Sequence, residues 1–223
     1  MIKKLLSFIR MTISRRRAAK KLISEGTLLH AFKEKKIIFI HIPKTAGVSL
    51  IKSIYGDVSL EGHRYISFYK MLFGVEYADY MTFSFVRNPW DRLYSAYKFL
   101  EKGGMNIHDR RAFEMYLSRY KDFEDFVMNG LSRELIYEII HFIPQSDFIC
   151  DDNDILLVDF LGIFEKLDDS VSDLGEIIGM DISIEHYNLN KKRNYTDVYT
   201  EKMIQRVYDI YKRDIDIFGY NFR

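Results

Sequence analysis

The chain has 223 residues, 48% of them hydrophobic, with 17 Phe and 16 Tyr; that suffices for one well-buried core and argues against a second domain. A single cysteine, Cys150, excludes an intrachain disulfide framework and fits a buried thiol in a reducing compartment. The net charge of +1 conceals an asymmetry: residues 1–36 carry eleven Lys/Arg against Glu25 and Glu34, net +9, leaving 22 basic against 30 acidic residues, net −8, in the remainder.

Residues 1–36 therefore read as a basic N-terminal arm ahead of a folded body over 37–223. In the arm Ile2, Leu5, Leu6, Ile9 and Ile13 fall at helical spacing with basic residues between them. Two readings fit: an amphipathic helix lying on an anionic membrane, or a solvated basic helix packed on the acidic body. The apolar stretches are too short to span a bilayer, and the long apolar run and cleavage site of a signal peptide are missing. A nucleic-acid-binding arm is a third reading, although nothing else in the chain suggests nucleic-acid recognition, and a cytoplasmic protein with no nucleic-acid partner is expected.

A strand over 37–42 runs directly into a helix over 47–55, and a short helix follows near 66–73. A strand over 81–86 ends at Arg87-Asn88-Pro89, where proline stops the strand, before a helix over 90–102 that Gly103-Gly104 closes. Residues 110–141 alternate charged and aromatic residues at helical spacing, as two or three helices. A turn at Pro144-Gln145-Ser146, a strand near 155–160 and a helix over 169–179 come next. A polar loop over 186–197 precedes a last helix over 200–217. Strands alternating with helices imply an α/β fold with a parallel sheet covered on both faces. Ligands bind such sheets beyond the carboxyl ends of the strands, where Lys44 and Arg87 both fall.

The stretch His41-Ile42-Pro43-Lys44-Thr45-Ala46-Gly47 between strand and helix is suited to an anion. Unpaired N–H groups and the positive end of the helix dipole favour a phosphate-like group. Lys44 adds a charge, Thr45 and Ser49 add hydroxyls, and Gly47 permits close backbone approach. The loop is not that of a nucleoside triphosphatase, which needs G-x-x-x-x-G-K-[ST] with the Lys directly before the magnesium-binding Ser/Thr. In "TFSFVRNPWDRLYSAYKFL", Arg87 leaves a strand and Ser95 sits two turns into the next helix. A guanidinium and a hydroxyl so placed can converge on one phosphate; pairing of Arg87 with a neighbouring carboxylate is the alternative.

Together, "HIPKTAGVS" and "RNPWDRLYSAY" resemble the two phosphate motifs of sulfotransferases that use 3′-phosphoadenosine 5′-phosphosulfate (PAPS). The similarity is to the carbohydrate branch, which includes heparan sulfate 2-O-sulfotransferase and bacterial relatives. "EGHRYISFYKMLFG" resembles the segment that supplies that family's catalytic histidine, and "PQSDFI", "VDFLGIFEKLDD" and "NLNKKRNYTDVYTEKMIQRVYDIYKRDIDIFGY" resemble its C-terminal blocks. The resemblance covers about residues 37–220. Val48 departs from it, standing where relatives often carry Thr.

The resemblance implies a P-loop NTPase-like three-layer fold and transfer of a sulfonyl group from PAPS to a hydroxyl of a glycan. A bacterial cell-surface polysaccharide or glycolipid precursor is the implied acceptor, with no metal needed. It casts Lys44 as the charge stabiliser at the bridging oxygen and Thr45, Ala46, Gly47, Val48 and Ser49 as the loop around the phosphosulfate. Arg87 and Ser95 take the 3′-phosphate, and His63 is the general base. Arg193 is placed over the nucleotide, or else belongs to a solvated basic cluster with Lys191 and Lys192. Gln145 and Ser146 are assigned to the acceptor, and His41 to a structural role. A small-molecule kinase and a catalytically inactive nucleotide-binding module are the competing readings.

Overall fold

A computed structural model describes residues 17–184 and 194–222. Three strands form a parallel sheet in the order β1 (Ile37–Phe39), β2 (Met81–Val86), β3 (Phe160–Ile163). All three residues of β1 and the last five of β2 are buried. Successive strand residues point to opposite faces, so both faces of these strands are covered, as the apolar runs imply.

Among the described residues, the helices that organise the rest are α1 (Leu28–Lys35), α2 (Gly47–Tyr55), α3 (Ile66–Phe73), α4 (Pro89–Glu101), α5 (Ile107–Ala112), α6 (Gln145–Ile149), α7 (Leu167–Ile178) and α8 (Glu201–Phe218). The local signals that set their ends are plain. Asn88 caps α4 by accepting from Trp90 N, with Pro89 at the first position. Thr200 caps α8, and Gly179 and Gly219 close α7 and α8 in the left-handed conformation. Helix α1 belongs to the stretch counted with the arm on charge, yet Leu28, Leu29 and Phe32 are buried in the core. The ring of Phe32 meets Tyr55 and Tyr69 edge-on.

The core has two parts. One surrounds the sheet with α1, α2, α3 and α7; the other joins α4, the segment 113–142 and α8. The second is more broken than the sequence predicts. Residues 113–142 hold the π-helical turns Phe113–Leu117 and Phe126–Gly130 and a 3-10 turn at Leu135–Tyr137. Aromatic packing through Tyr97, Phe123, Phe126 and Phe142 holds them where helical hydrogen bonding is irregular.

Three boundaries differ clearly from expectation. β1 ends at Phe39, three residues short of the strand expected over 37–42. The Pro144-Gln145-Ser146 turn is the start of α6. The strand near 155–160 lies at Phe160–Ile163, because Asp151 Oδ1 accepts from Asn153 N and Ile155 N and holds 151–155 in a turn. Residues 1–16 and the basic cluster Lys191, Lys192 and Arg193 lie outside the described residues. No described helix is long and apolar enough to cross a membrane.

Candidate active site

The carboxyl ends of β1 and β2 carry the two stretches expected to hold anions. After β1 the chain turns through Lys44 and Ala46, both at positive φ (72° and 65°), and enters α2 at Gly47. No side chain caps this helix, so the N–H groups of its first turn remain available to an anion. Gly47 is required for space. A Cβ there would sit 1.9 Å from His41 Nε2, so the imidazole of His41 packs where any side chain would stand. This supports a structural role for His41, whose ring also stacks on Phe39. Val48 is 46% exposed on the outer side of the turn. The Thr45 hydroxyl, expected among the loop's donors, is instead fully buried and donates to Ile42 O at 2.9 Å. Thr45 shapes the loop from within, and its hydroxyl is turned away from solvent.

Arg87 leaves β2 directly beneath this loop. Its Nη1 donates to Lys44 O (3.0 Å) and to Ser95 Oγ (3.2 Å), and Nε and Nη2 grip Asp91 Oδ2 at 2.8 and 2.7 Å. Both sequence readings of Arg87 therefore hold at once: it pairs with a carboxylate and it meets Ser95. The parallel register of Val86 with Ile163 sets Phe164 beside Arg87, and the guanidinium lies 4.1 Å from the Phe164 ring centre.

Gln145 clamps the Arg87 backbone from the other side, accepting from Arg87 N (2.9 Å) and donating to Arg87 O (2.8 Å). Gln145 and Ser146 are both wholly buried, and their backbone N–H groups and the Ser146 hydroxyl donate to the buried Asp214. Neither faces an acceptor, contrary to the sequence assignment. They anchor the segment that carries Arg87.

A third group completes the cluster. His63 Nδ1 lies 2.9 Å from His41 O. A carbonyl only accepts, so Nδ1 carries the proton and the lone pair of the neutral ring is on Nε2. Burial is the main cause that lowers the His63 pKa below its ordinary 6.5, with Arg92 and Lys44 adding to it and the His41 and Asp109 oxygens opposing. The ring centres of His41 and His141 lie 4.4 and 5.9 Å away. Lys44 Nζ sits 4.1 Å over the Phe99 ring, and the other neighbour of Phe99 is His141, at 5.0 Å. Burial, aided by Arg87, brings the Lys44 pKa down to about 8, so the ammonium is charged at neutral pH.

Sequence reasoning missed Arg92 and Asp109, and named His141 only, with His108, as the reserve base beside the acceptor cleft. Arg92 is buried and donates from Nε to Pro43 O (3.0 Å) and from Nη2 to Ile143 O (2.9 Å), tying the anion loop to the strand of chain that carries His141. Its signal was a charged residue inside the apolar stripe of α4. Asp109 and His141 are buried next to each other, Nε2 to Oδ1 3.9 Å. That is too long for a hydrogen bond, and burial and the nearby cationic groups push His141 down to about 3. The pair is thus a neutral imidazole beside a carboxylate, not an ion pair. Nothing local in the sequence links residues 109 and 141.

Two surface cavities, of about 600 Å³ along α7 and about 480 Å³ beside Trp90, include none of Lys44, His63, Arg87 or Ser95. Polar convergence, not hollow size, marks the site. No curated protein is a significant match for the chain. The profile of the sulfotransferase family, however, matches residues 29–221. A match of that extent spans every residue of the cluster just described, and the chain belongs to the sulfotransferase family.

Proposed function

We propose that the protein transfers the sulfonyl group of PAPS to a hydroxyl of a glycan, and that its P-loop-like turn at Lys44 holds the phosphosulfate. The observation that carries this reading is the convergence of the uncapped α2 N-terminus, the Arg87–Ser95 pair and the Nε2 of His63 at one end of the sheet. The first-turn N–H groups of α2 and the Lys44 ammonium suit the 5′ end of the donor. The Arg87 guanidinium and the Ser95 hydroxyl suit its 3′-phosphate.

The chemistry follows from these parts. The acceptor hydroxyl oxygen attacks sulfur in line, forming the new O–S bond while its proton passes to His63 Nε2. The bond from sulfur to the bridging oxygen breaks, and adenosine 3′,5′-bisphosphate leaves with the electron pair. Lys44 stands to stabilise the charge that grows on that oxygen.

The reading is tested with labelled PAPS and a panel of polysaccharides and methyl glycosides. Label is expected in a glycan, and adenosine 3′,5′-bisphosphate is expected to raise the melting temperature while MgATP does not. The reverse ligand preference would make the protein a phosphotransferase instead. Nucleotide stabilisation with no sulfonyl transfer to any acceptor class would make it a binding module.

A cell-surface polysaccharide or glycolipid precursor is the acceptor this reading favours, met at the inner face of the membrane through the basic arm. Residues 1–16 contain five Lys/Arg and no acid. Helix α1 is part of the core, and Lys21 pairs with Glu61 at 2.7 Å, so the deletion to test removes 1–16 alone. Full-length protein is expected to float with anionic vesicles at moderate salt, and protein starting at Arg17 to stay behind. Equal flotation of the two would end the idea.

A further inference from the structure

We propose that Asp109 and His141 form a notch that seats the acceptor by a second hydroxyl, next to the one that is sulfonated. The proposal rests on the sulfonyl-transfer reading above and names the acceptor class it takes: a vicinal diol, as in a sugar ring.

The carboxylate of Asp109 is held by its surroundings. Met105 N and Asn106 Nδ2 both donate to Oδ2 at 2.9 Å, and Asn106 in turn caps α5 through Oδ1. Gly104, at φ +64°, clears the space, since a Cβ there would stand 2.1 Å from the Asp109 Cβ. One oxygen is thereby saturated and the other, Oδ1, is aimed at His141.

His141 is fixed differently, by rings. Phe99 and His63 pack against it, and neither of its nitrogens makes a hydrogen bond among the described residues. The side chains of Asp109 and His141 are only 9% and 8% exposed. The fully occluded side-chain polar atoms without a partner, among the described residues, are Tyr77 Oη, Tyr80 Oη and Arg206 Nε. The open atoms of Asp109 and His141 are not in that set, so they still touch solvent.

Two fixed, mostly buried polar atoms 3.9 Å apart cannot bond each other. A hydroxyl oxygen about 2.8 Å from both bridges them: it donates to the Asp109 carboxylate and accepts from His141 Nε2–H. His63, the proposed base, is the neighbour of His141 on one side, and Lys44 lies across Phe99 on the other. A hydroxyl in the notch therefore sets an adjacent hydroxyl beside the transfer centre. An acceptor with a single hydroxyl, such as a tyrosine or a simple lipid alcohol, leaves Asp109 Oδ1 desolvated and unpaired.

The test uses full-length protein, labelled PAPS and methyl pyranosides, each compared with its mono-deoxy analogues lacking a neighbouring hydroxyl. Wild-type protein is expected to favour the intact sugar about ten- to a hundredfold in kcat/KM. Asp109→Asn can keep its oxygen toward Met105 N and Asn106 while presenting an amide N–H to the notch, and His141→Phe keeps the ring packing. Both are expected to lose that preference, mainly through KM, and to treat the deoxy sugar as wild type does. Adenosine 3′,5′-bisphosphate should bind each variant within about twofold of wild type. Equal losses on intact and deoxy sugars, or lost nucleotide affinity in both variants, would overturn the notch and leave the sulfonyl-transfer reading standing. Transfer by wild type to monohydric acceptors but to no sugar would overturn the glycan reading and the notch with it.

Discussion

His63→Ala is expected to lower turnover by about 10²–10⁴, the usual share of a positioned general base. The His41 carbonyl fixes the proton on Nδ1 and leaves the lone pair on Nε2, and burial keeps the ring neutral at pH 7 by holding its pKa below 6.5. The wild-type profile of kcat/KM against pH should be a bell. Its acidic limb falls below 6.5, where His63 takes up a proton and ceases to be a base. Its alkaline limb falls near pH 8, where Lys44 loses the charge it needs. In His63→Ala the acidic limb disappears and the alkaline limb stays, provided chemistry limits the rate. Adenosine 3′,5′-bisphosphate should bind as in wild type, because Arg92 and Arg87 hold the anion loop independently of His63. A His63→Ala protein with a near-normal rate would remove His63 from the chemistry.

Arg87→Ala is expected to weaken adenosine 3′,5′-bisphosphate by about ten- to a hundredfold, the loss of one charge-assisted contact of about 1.5–3 kcal/mol. The structure adds a second consequence. Arg87 Nη1 also holds Lys44 O, at a residue whose φ is positive, so its removal loosens the phosphosulfate loop as well. Adenosine 5′-phosphosulfate, which lacks the 3′-phosphate, should therefore weaken too, but only a few-fold. Ser95→Ala separates the effects: it leaves the Lys44 contact in place and should weaken the bisphosphate alone, by about three- to tenfold. Titrating both ligands into both variants decides the matter. If each variant lost equally on the two ligands, the pair would support the fold or the 5′ end, and the 3′ assignment would fall.

The elements that were legible in the sequence are those with local determinants. Helix α2 begins at Gly47 and ends at Tyr55 as predicted, and α3 and β2 match their predicted limits, because apolar period and flanking residues agree there. Prediction slipped where a side chain's hydrogen bonds or ring packing override the apolar pattern. The turn at 151–155, which moves β3 toward the C-terminus, depends on the Asp151 carboxylate and a left-handed Asp154. The segment 113–142 takes its broken course from aromatic rings supplied by α4 and by its own length.

For the candidate site, the sequence by itself placed Lys44 at one strand–turn–helix junction and Arg87 and Ser95 at another, because each is a short-range pattern, while the choice of His63 between them rested on the family resemblance. Tertiary structure alone decided the roles of their supports. Gln145 turned out to brace Arg87, Thr45 to face inward, and Arg92 to bridge two loops 49 and 51 residues away. Asp109 and His141 meet only because α4, the Gly104 turn and the chain before α6 fold onto one another. Burial gives those polar groups their tautomers, charges and partners. A linear sequence carries the identity of each group but not the dielectric and the neighbours that only folding brings around it.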